Sequence, residues 1–183
     1  MLKNKDILDE KDKKLRQISK EVTFPLDKKD KETIDLIIEY LTNSQIESLA
    51  EKYDLRPGMG MAAIQLGIPK RYFVVVHEQE KKETFKNYVI INPKIVSTSE
   101  EMIYVDEGEG CLSVNREVEG IVPRHARITI EGYDTEGNKI KIRGREELAV
   151  AFQHELDHLD GILFTDKIDK KDPYKYSDVY RPI

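Results

Sequence analysis

The sequence predicts a mixed fold in which two helices bracket a mostly antiparallel sheet along the chain. Three features predict it: an early apolar stripe at helical spacing, a middle stretch of short β-branched runs separated by polar turns, and a late amphipathic segment with helix-capping residues. Residues 30–53 read as one long helix. Ile34, Ile37, Ile38 and Leu41 recur at i, i+3, i+4 and i+7, Ile46 and Leu49 continue the stripe, and Arg56-Pro57-Gly58 ends it. Arg71 to His77 is β-branched and aromatic enough to be a strand, and Phe85 to Ile91 returns as its hairpin partner across the polar turn 79–84. Asn92-Pro93 is expected to break that strand, with another from Lys94 to Tyr104. Further strands are expected over Val118–Val122, Arg127–Tyr133 and Lys139–Arg143, the last two joined by a turn at Asp134–Asn138. Residues 145–160 read as a helix: Gly144 serves as N-cap, Glu146 and Glu147 favour the positive end of its dipole, and Gly161 closes it. The charged, Tyr-rich segment after Ile168 carries no assignable pattern.

With 183 residues, 39% apolar and 36% charged, the chain is expected to form one domain over 1–183. The opening MLKNKDILDEKDKKLRQ is interrupted by charge too often to supply a signal-peptide core, and the apolar runs elsewhere are too short for a bilayer. A cytoplasmic protein is expected, with no membrane partner. The net charge of -5 and the mixed signs of Lys28–Glu32 argue against direct nucleic-acid binding. A single cysteine, Cys111, excludes an intramolecular disulfide and leaves its thiol free for other chemistry.

The late helix carries His154-Glu155-Leu156-Asp157-His158. Two imidazoles at i and i+4 project from one face about one turn apart, so both can reach a single metal ion, with Glu155 beside them. Leu148, Phe152, Leu156 and Leu159 form a core stripe, while Val150, Ala151, His154 and His158 lie broadly opposite, as they would on a helix between a core and a cleft. A catalytic site of this kind needs three protein ligands and an open position for water. No histidine follows His158, so a downstream third ligand would have to be a carboxylate such as Asp160, Asp166 or Asp169; Cys111 in Glu109-Gly110-Cys111-Leu112-Ser113 is the better candidate. One thiolate and two imidazoles suit zinc or ferrous iron. The segment Gly58 to Gln65, dense in Gly and Ala, permits close backbone approach and ends on an amide donor. It lacks the Lys-Ser/Thr of a phosphate loop.

Taken together, Gly58–Gln65, Glu109–Ser113 and Gln153–His158 resemble the three hallmark motifs of the peptide deformylase family, G-x-G-x-A-A-x-Q, E-G-C-L-S and Q-H-E-x-D-H, in that order. The resemblance runs from the first helix to about Ile168, and it resembles most the longer branch found in Gram-positive bacteria. It implies an α+β fold in which a highly twisted antiparallel sheet surrounds the HExDH helix, with an N-terminal helix. It also implies Cys111, His154 and His158 as metal ligands, Glu155 as general acid/base, and Gln65 with the Leu112 backbone N–H as oxyanion donors. The cofactor implied is one divalent ion, Fe(II) in the cell, with Zn, Ni or Co as replacements. The activity implied is hydrolysis of the formyl group from the N-terminal formyl-methionine of nascent polypeptides by a metal-bound hydroxide, releasing formate. Ribosome association follows from where such a substrate arises, and a monomer is expected.

Met59, Gly60 and Val150 are the candidates for the substrate pocket, with core packing as the competing role for Met59. Glu109 is expected to pair with Arg124 and brace the cysteine loop; Asp157 is either a partner of a ligand or a surface carboxylate. Two rival classes remain. A zinc endopeptidase would take a downstream third ligand and cleave internal peptide bonds. A structural-metal binding module would close all four metal positions with protein ligands, whereas three ligands and a base favour an open site.

Overall fold

The run Tyr72-Phe73-Val74-Val75-Val76 carries no charged side chain and sits at the centre of the fold, buried on both faces. The structure, a computed structural model, describes residues 1–183. Its elements are α1 (Lys28–Ser44), α2 (Glu47–Tyr53), β1 (Gly60–Ala62), β2 (Tyr72–Glu78), β3 (Phe85–Thr98), β4 (Met102–Tyr104), β5 (Arg124–His125), β6 (Arg127–Tyr133), β7 (Lys139–Arg145), α3 (Glu146–Leu159) and β8 (Arg181–Pro182). A five-stranded antiparallel sheet has the order β1-β2-β3-β6-β7, and a smaller sheet has the order β5-β4-β8. This is the α+β arrangement expected from the sequence. No helix is long and apolar enough to cross a membrane.

Because side chains alternate along a strand, β2 serves two cores. Tyr72, Val74 and Val76 meet Ile34, Ile37, Tyr40 and Leu41 of α1; Phe73 and Val75 meet Leu148, Phe152, Leu156 and Leu159 of α3. The stripe expected on α3 is therefore the one it buries. On its other side, Val150 packs with Ile103 of the smaller sheet and with Ala126, the residue between β5 and β6. α3 thus lies between the two sheets, with the flank bearing His154 left for the site.

Several expected boundaries shift, each for a local reason. The helix expected over 30–53 is two helices. The Gln45 side chain donates to the carbonyls of Leu41 and Val76, at 3.2 and 2.9 Å, closing α1 and tying its end to β2, and Ile46 turns extended. Asn92-Pro93 does not end β3. A register irregularity between Ile91 and Lys94 absorbs the proline, and the Asn92 side chain pairs with both the N–H and the C=O of Val22. Val118–Val122 is not a strand: Gly120 takes a φ of +118°, and Ile121 N–H donates to the Pro173 carbonyl at 2.9 Å. Gly144 stays in β7 and Arg145 occupies the N-cap of α3. Glycine is needed at 144 because a Cβ there would meet the Phe152 ring at 2.8 Å. The chain end, unassigned from sequence, adds β8 parallel to β4, and Arg181 pairs with Glu101 and Glu146 at 2.9 and 2.7 Å.

Phe152 is fully buried, with its ring 5.4 Å from that of Tyr88 and 6.1 Å from that of Phe73. Replacing it with alanine is expected to cost about 3–5 kcal/mol of stability by urea denaturation. A loss under about 1 kcal/mol would show that α3 is not held by this core.

Candidate active site

Two chain segments far apart in sequence converge beside α3. The ligand-capable atoms of Cys111, His154 and His158 all lie within 4.8 Å of one another, and Cys111 Sγ stands 3.3 Å from His158 Nε2. Of the third-ligand candidates, Cys111 is the one that joins the two histidines. The downstream acids are engaged elsewhere: Asp160 with Arg71 at 2.8 Å, Asp166 with Arg16, and Asp169 with Lys175 at 3.4 Å. Cys111, His154 and His158 could hold a metal ion.

The histidines are oriented from behind. His154 Nδ1 lies 2.9 Å from Glu109 Oε2, so a proton on Nδ1 donates to the carboxylate and leaves Nε2 free as a ligand. Glu109 is in turn gripped by Arg124, whose Nε and Nη2 donate to its two oxygens at 2.7 and 3.0 Å, while Nη1 donates to Asp157 at 2.6 Å. Glu109 and Arg124 are both almost wholly buried. Burial pushes the Glu109 carboxyl up, but the hydrogen bonds from His154 and Arg124 outweigh this and bring it down to about 2. The expected Glu109–Arg124 pair is therefore present, and Asp157 is the far end of the same chain. Burial opposes a charge on His154, yet the Cys111 sulfur and Glu109 hold its proton affinity well above the usual histidine value. At His158 burial wins, with the neighbouring His154 charge adding to it, and the imidazole is held neutral.

Glu155 is buried, its Oε2 has no hydrogen-bond partner, and burial, helped by the Glu109 charge, raises its carboxyl to about 7. It fits because residue 60 is glycine: a Cβ there would stand 2.5 Å from Glu155 Oε1. Gln65 is also buried. Its Oε1 accepts from Ala62 N–H at 2.9 Å, which turns Nε2 toward Ser113 Oγ at 3.1 Å and Cys111 Sγ at 3.7 Å. The Leu112 N–H donates to no protein acceptor. The Leu112 side chain fills the space beside Gly58, where a Cβ would meet Cδ1 at 2.7 Å.

All of this borders a cleft of about 460 Å³, lined on its apolar side by Met59, Val105, Leu112 and Val150. Met59, Gly60 and Val150, the three pocket candidates, thus share a cleft with Cys111 and Glu155, and Met59 also packs on the α3 core. A larger cleft, about 760 Å³, lies over Phe24, Tyr133 and Ile140, away from these residues. Sequence reasoning missed Arg56. Read as part of a helix stop, it lines the cleft that holds Cys111 and Glu155 and hydrogen-bonds the cysteine loop. No pattern local to Arg56 signals this.

A family model described as polypeptide deformylase matches residues 4–174. The peptide deformylase of Halalkalibacterium halodurans is 47% identical over 176 residues, covering 96% of this chain and 96% of that protein. Peptide deformylase 2 of Bacillus anthracis is 44% identical over 183 residues, covering 100% and 99%. Among solved structures, one titled a probable peptide deformylase from Synechococcus phage S-SSM7 aligns with a TM-score of 0.71 at 37% identity, covering 88% of this chain and 97% of that one. The peptide deformylase of Thermotoga maritima aligns at 0.69 and 32%, covering 89% and 96%.

Replacing Arg124 with methionine would strand the buried Glu109 carboxylate. Chemical denaturation is expected to show a loss of about 3–5 kcal/mol, the range for removing one partner of a buried ion pair. A variant as stable as the parent would contradict the bracing role of this pair.

Proposed function

The chain belongs to the polypeptide deformylase family, and on that premise we propose that it hydrolyses the formyl group from the N-terminal formyl-methionine of nascent polypeptides. Cys111, His154 and His158, with donor atoms within 4.8 Å of one another and the unpartnered Glu155 carboxylate beside them, support this reading most directly. The donor set fits a divalent metal. A soft sulfur with two imidazoles suits ferrous iron or zinc, and three ligands leave one position for water or substrate. We assign Fe(II) as the cellular ion, with Zn, Ni or Co able to replace it. Such an ion, when bound, supplies a Lewis acid that polarises the formyl oxygen and brings the pKa of a coordinated water to about 7.

The remaining steps belong to this chain. The formyl-methionine side chain enters the cleft between Met59 and Val150, and its backbone lies along Gly60. Glu155 takes a proton from the attacking water as the new C–O bond forms at the formyl carbon. A carboxyl held near neutrality is well suited to accepting and returning that proton. The charge that develops on the formyl oxygen is met by Gln65 Nε2 and the Leu112 N–H. Glu155 then gives its proton to the departing nitrogen as the C–N bond breaks, leaving formate and a free N-terminus.

The chain acts as one metallohydrolase domain over residues 1–183, cytoplasmic and monomeric, on nascent chains and in association with the ribosome. An endopeptidase with a downstream ligand is disfavoured, because Asp160, Asp166 and Asp169 are paired with basic residues.

Formate release from a formyl-Met tripeptide, assayed anaerobically with the Fe(II)-loaded protein, tests this function. The parent should turn over, and Glu155→Ala should keep its metal while losing about 10²–10⁴-fold in kcat. Normal turnover in that variant, or none in the metal-loaded parent, would refute the proposal.

A further inference from the structure

Arg56 makes four hydrogen bonds to the cysteine loop, all to neutral acceptors. Nη1 donates to the Leu112 carbonyl at 3.0 Å and to Asn115 Oδ1, and Nη2 donates to the carbonyls of Cys111 and Val114, both at 3.1 Å. The two terminal nitrogens carry four N–H bonds, so each has an acceptor. The backbone of Arg56 is fixed from the core: its N–H donates to Asn4 Oδ1 at 3.2 Å, and its carbonyl accepts from the fully buried Tyr40 hydroxyl at 3.2 Å.

The carbonyl of Cys111 and the N–H of Leu112 belong to one peptide group. Arg56 binds the oxygen end of that group, while the nitrogen end donates to no protein acceptor and borders the cleft. A cation on a peptide oxygen draws density away from the N–H, because hydrogen bonds in a chain polarise one another. We propose that Arg56 is a positioning residue for the reaction. Its guanidinium fixes the Cys111–Leu112 peptide and strengthens the Leu112 N–H as an oxyanion donor. This inference rests on the deformylase reading of the site. Lysine offers three donors from one point and cannot reproduce a planar fork across four acceptors.

The loop has other anchors. Glu10 N–H donates to the Ser113 carbonyl at 2.7 Å, Asn115 Nδ2 to Asp9 at 2.8 Å, and Val114 N–H to the Cys111 carbonyl at 3.0 Å. The contacts at Ser113 and Asn115 tie the loop to the chain without Arg56, so its folding and the polarising role can be measured apart. The test compares parent, Arg56→Met and Arg56→Lys at equal metal content, by formyl-Met tripeptide kinetics and by the Leu112 amide resonance in isotope-labelled protein. Both variants are expected to lose about tenfold in kcat, less than deletion of an oxyanion donor costs, with KM little changed. The Leu112 amide proton should move upfield in both. Parental kcat in Arg56→Met, recovery in Arg56→Lys, an unmoved Leu112 resonance, or a loss confined to KM or metal content would each overturn the role. Failure of the parent to release formate would sink the deformylase reading, whereas an active parent matched by Arg56→Met sinks the role of Arg56 alone.

Discussion

Arg124 is almost fully buried, and its charge is matched only by the carboxylates of Glu109 and Asp157. That constraint organises the site. Glu109 belongs to the loop that carries Cys111, Asp157 belongs to the helix that carries the histidines, and Arg124 comes from β5, so one guanidinium joins the smaller sheet to both halves of the site. A buried ion pair is a poor source of stability in itself, but it is costly to leave half made. The pair therefore selects the arrangement in which loop and helix meet, and Glu109 passes the constraint on to the His154 ring.

The apolar cores and the polar chain solve separate problems. Phe152, wedged against Gly144, Phe73 and Tyr88, sets how closely α3 approaches the five-stranded sheet. The polar groups then set what faces the cleft. Three buried side-chain atoms lack partners, Ser19 Oγ, Glu155 Oε2 and His158 Nδ1, and the last two belong to residues of this site. Buried polar atoms in native proteins are ordinarily satisfied, so each such exception asks for a partner the protein alone does not supply.

Much of this was legible in the sequence because it is local. The His154/His158 spacing, the stripe Leu148–Phe152–Leu156–Leu159 and the apolar run of β2 each declare themselves within a few residues. The joining of Cys111 to His158 crosses 47 positions; residue chemistry made the lone cysteine a candidate ligand, and the resemblance of three motifs singled it out. The smaller sheet was not legible: β4, β5 and β8 are two or three residues long, and periodicity needs more turns or alternations to show. The break between α1 and α2 was hidden because its cause is a tertiary hydrogen bond from Gln45 to Val76 rather than a glycine or proline. Arg56 was hidden for a related reason. It acts on backbone carbonyls up to 58 positions away, and a carbonyl leaves no signature in the sequence.

The central claim is that the sulfur of Cys111 and the imidazoles of His154 and His158 share one metal ion. Cobalt(II) substitution tests it most directly, because a thiolate bound to cobalt absorbs in the near ultraviolet through charge transfer from sulfur. The cobalt protein is expected to show that band at one equivalent of metal, and Cys111→Ser to lack it. Absence of the band in the parent, or its persistence in Cys111→Ser, would contradict the account.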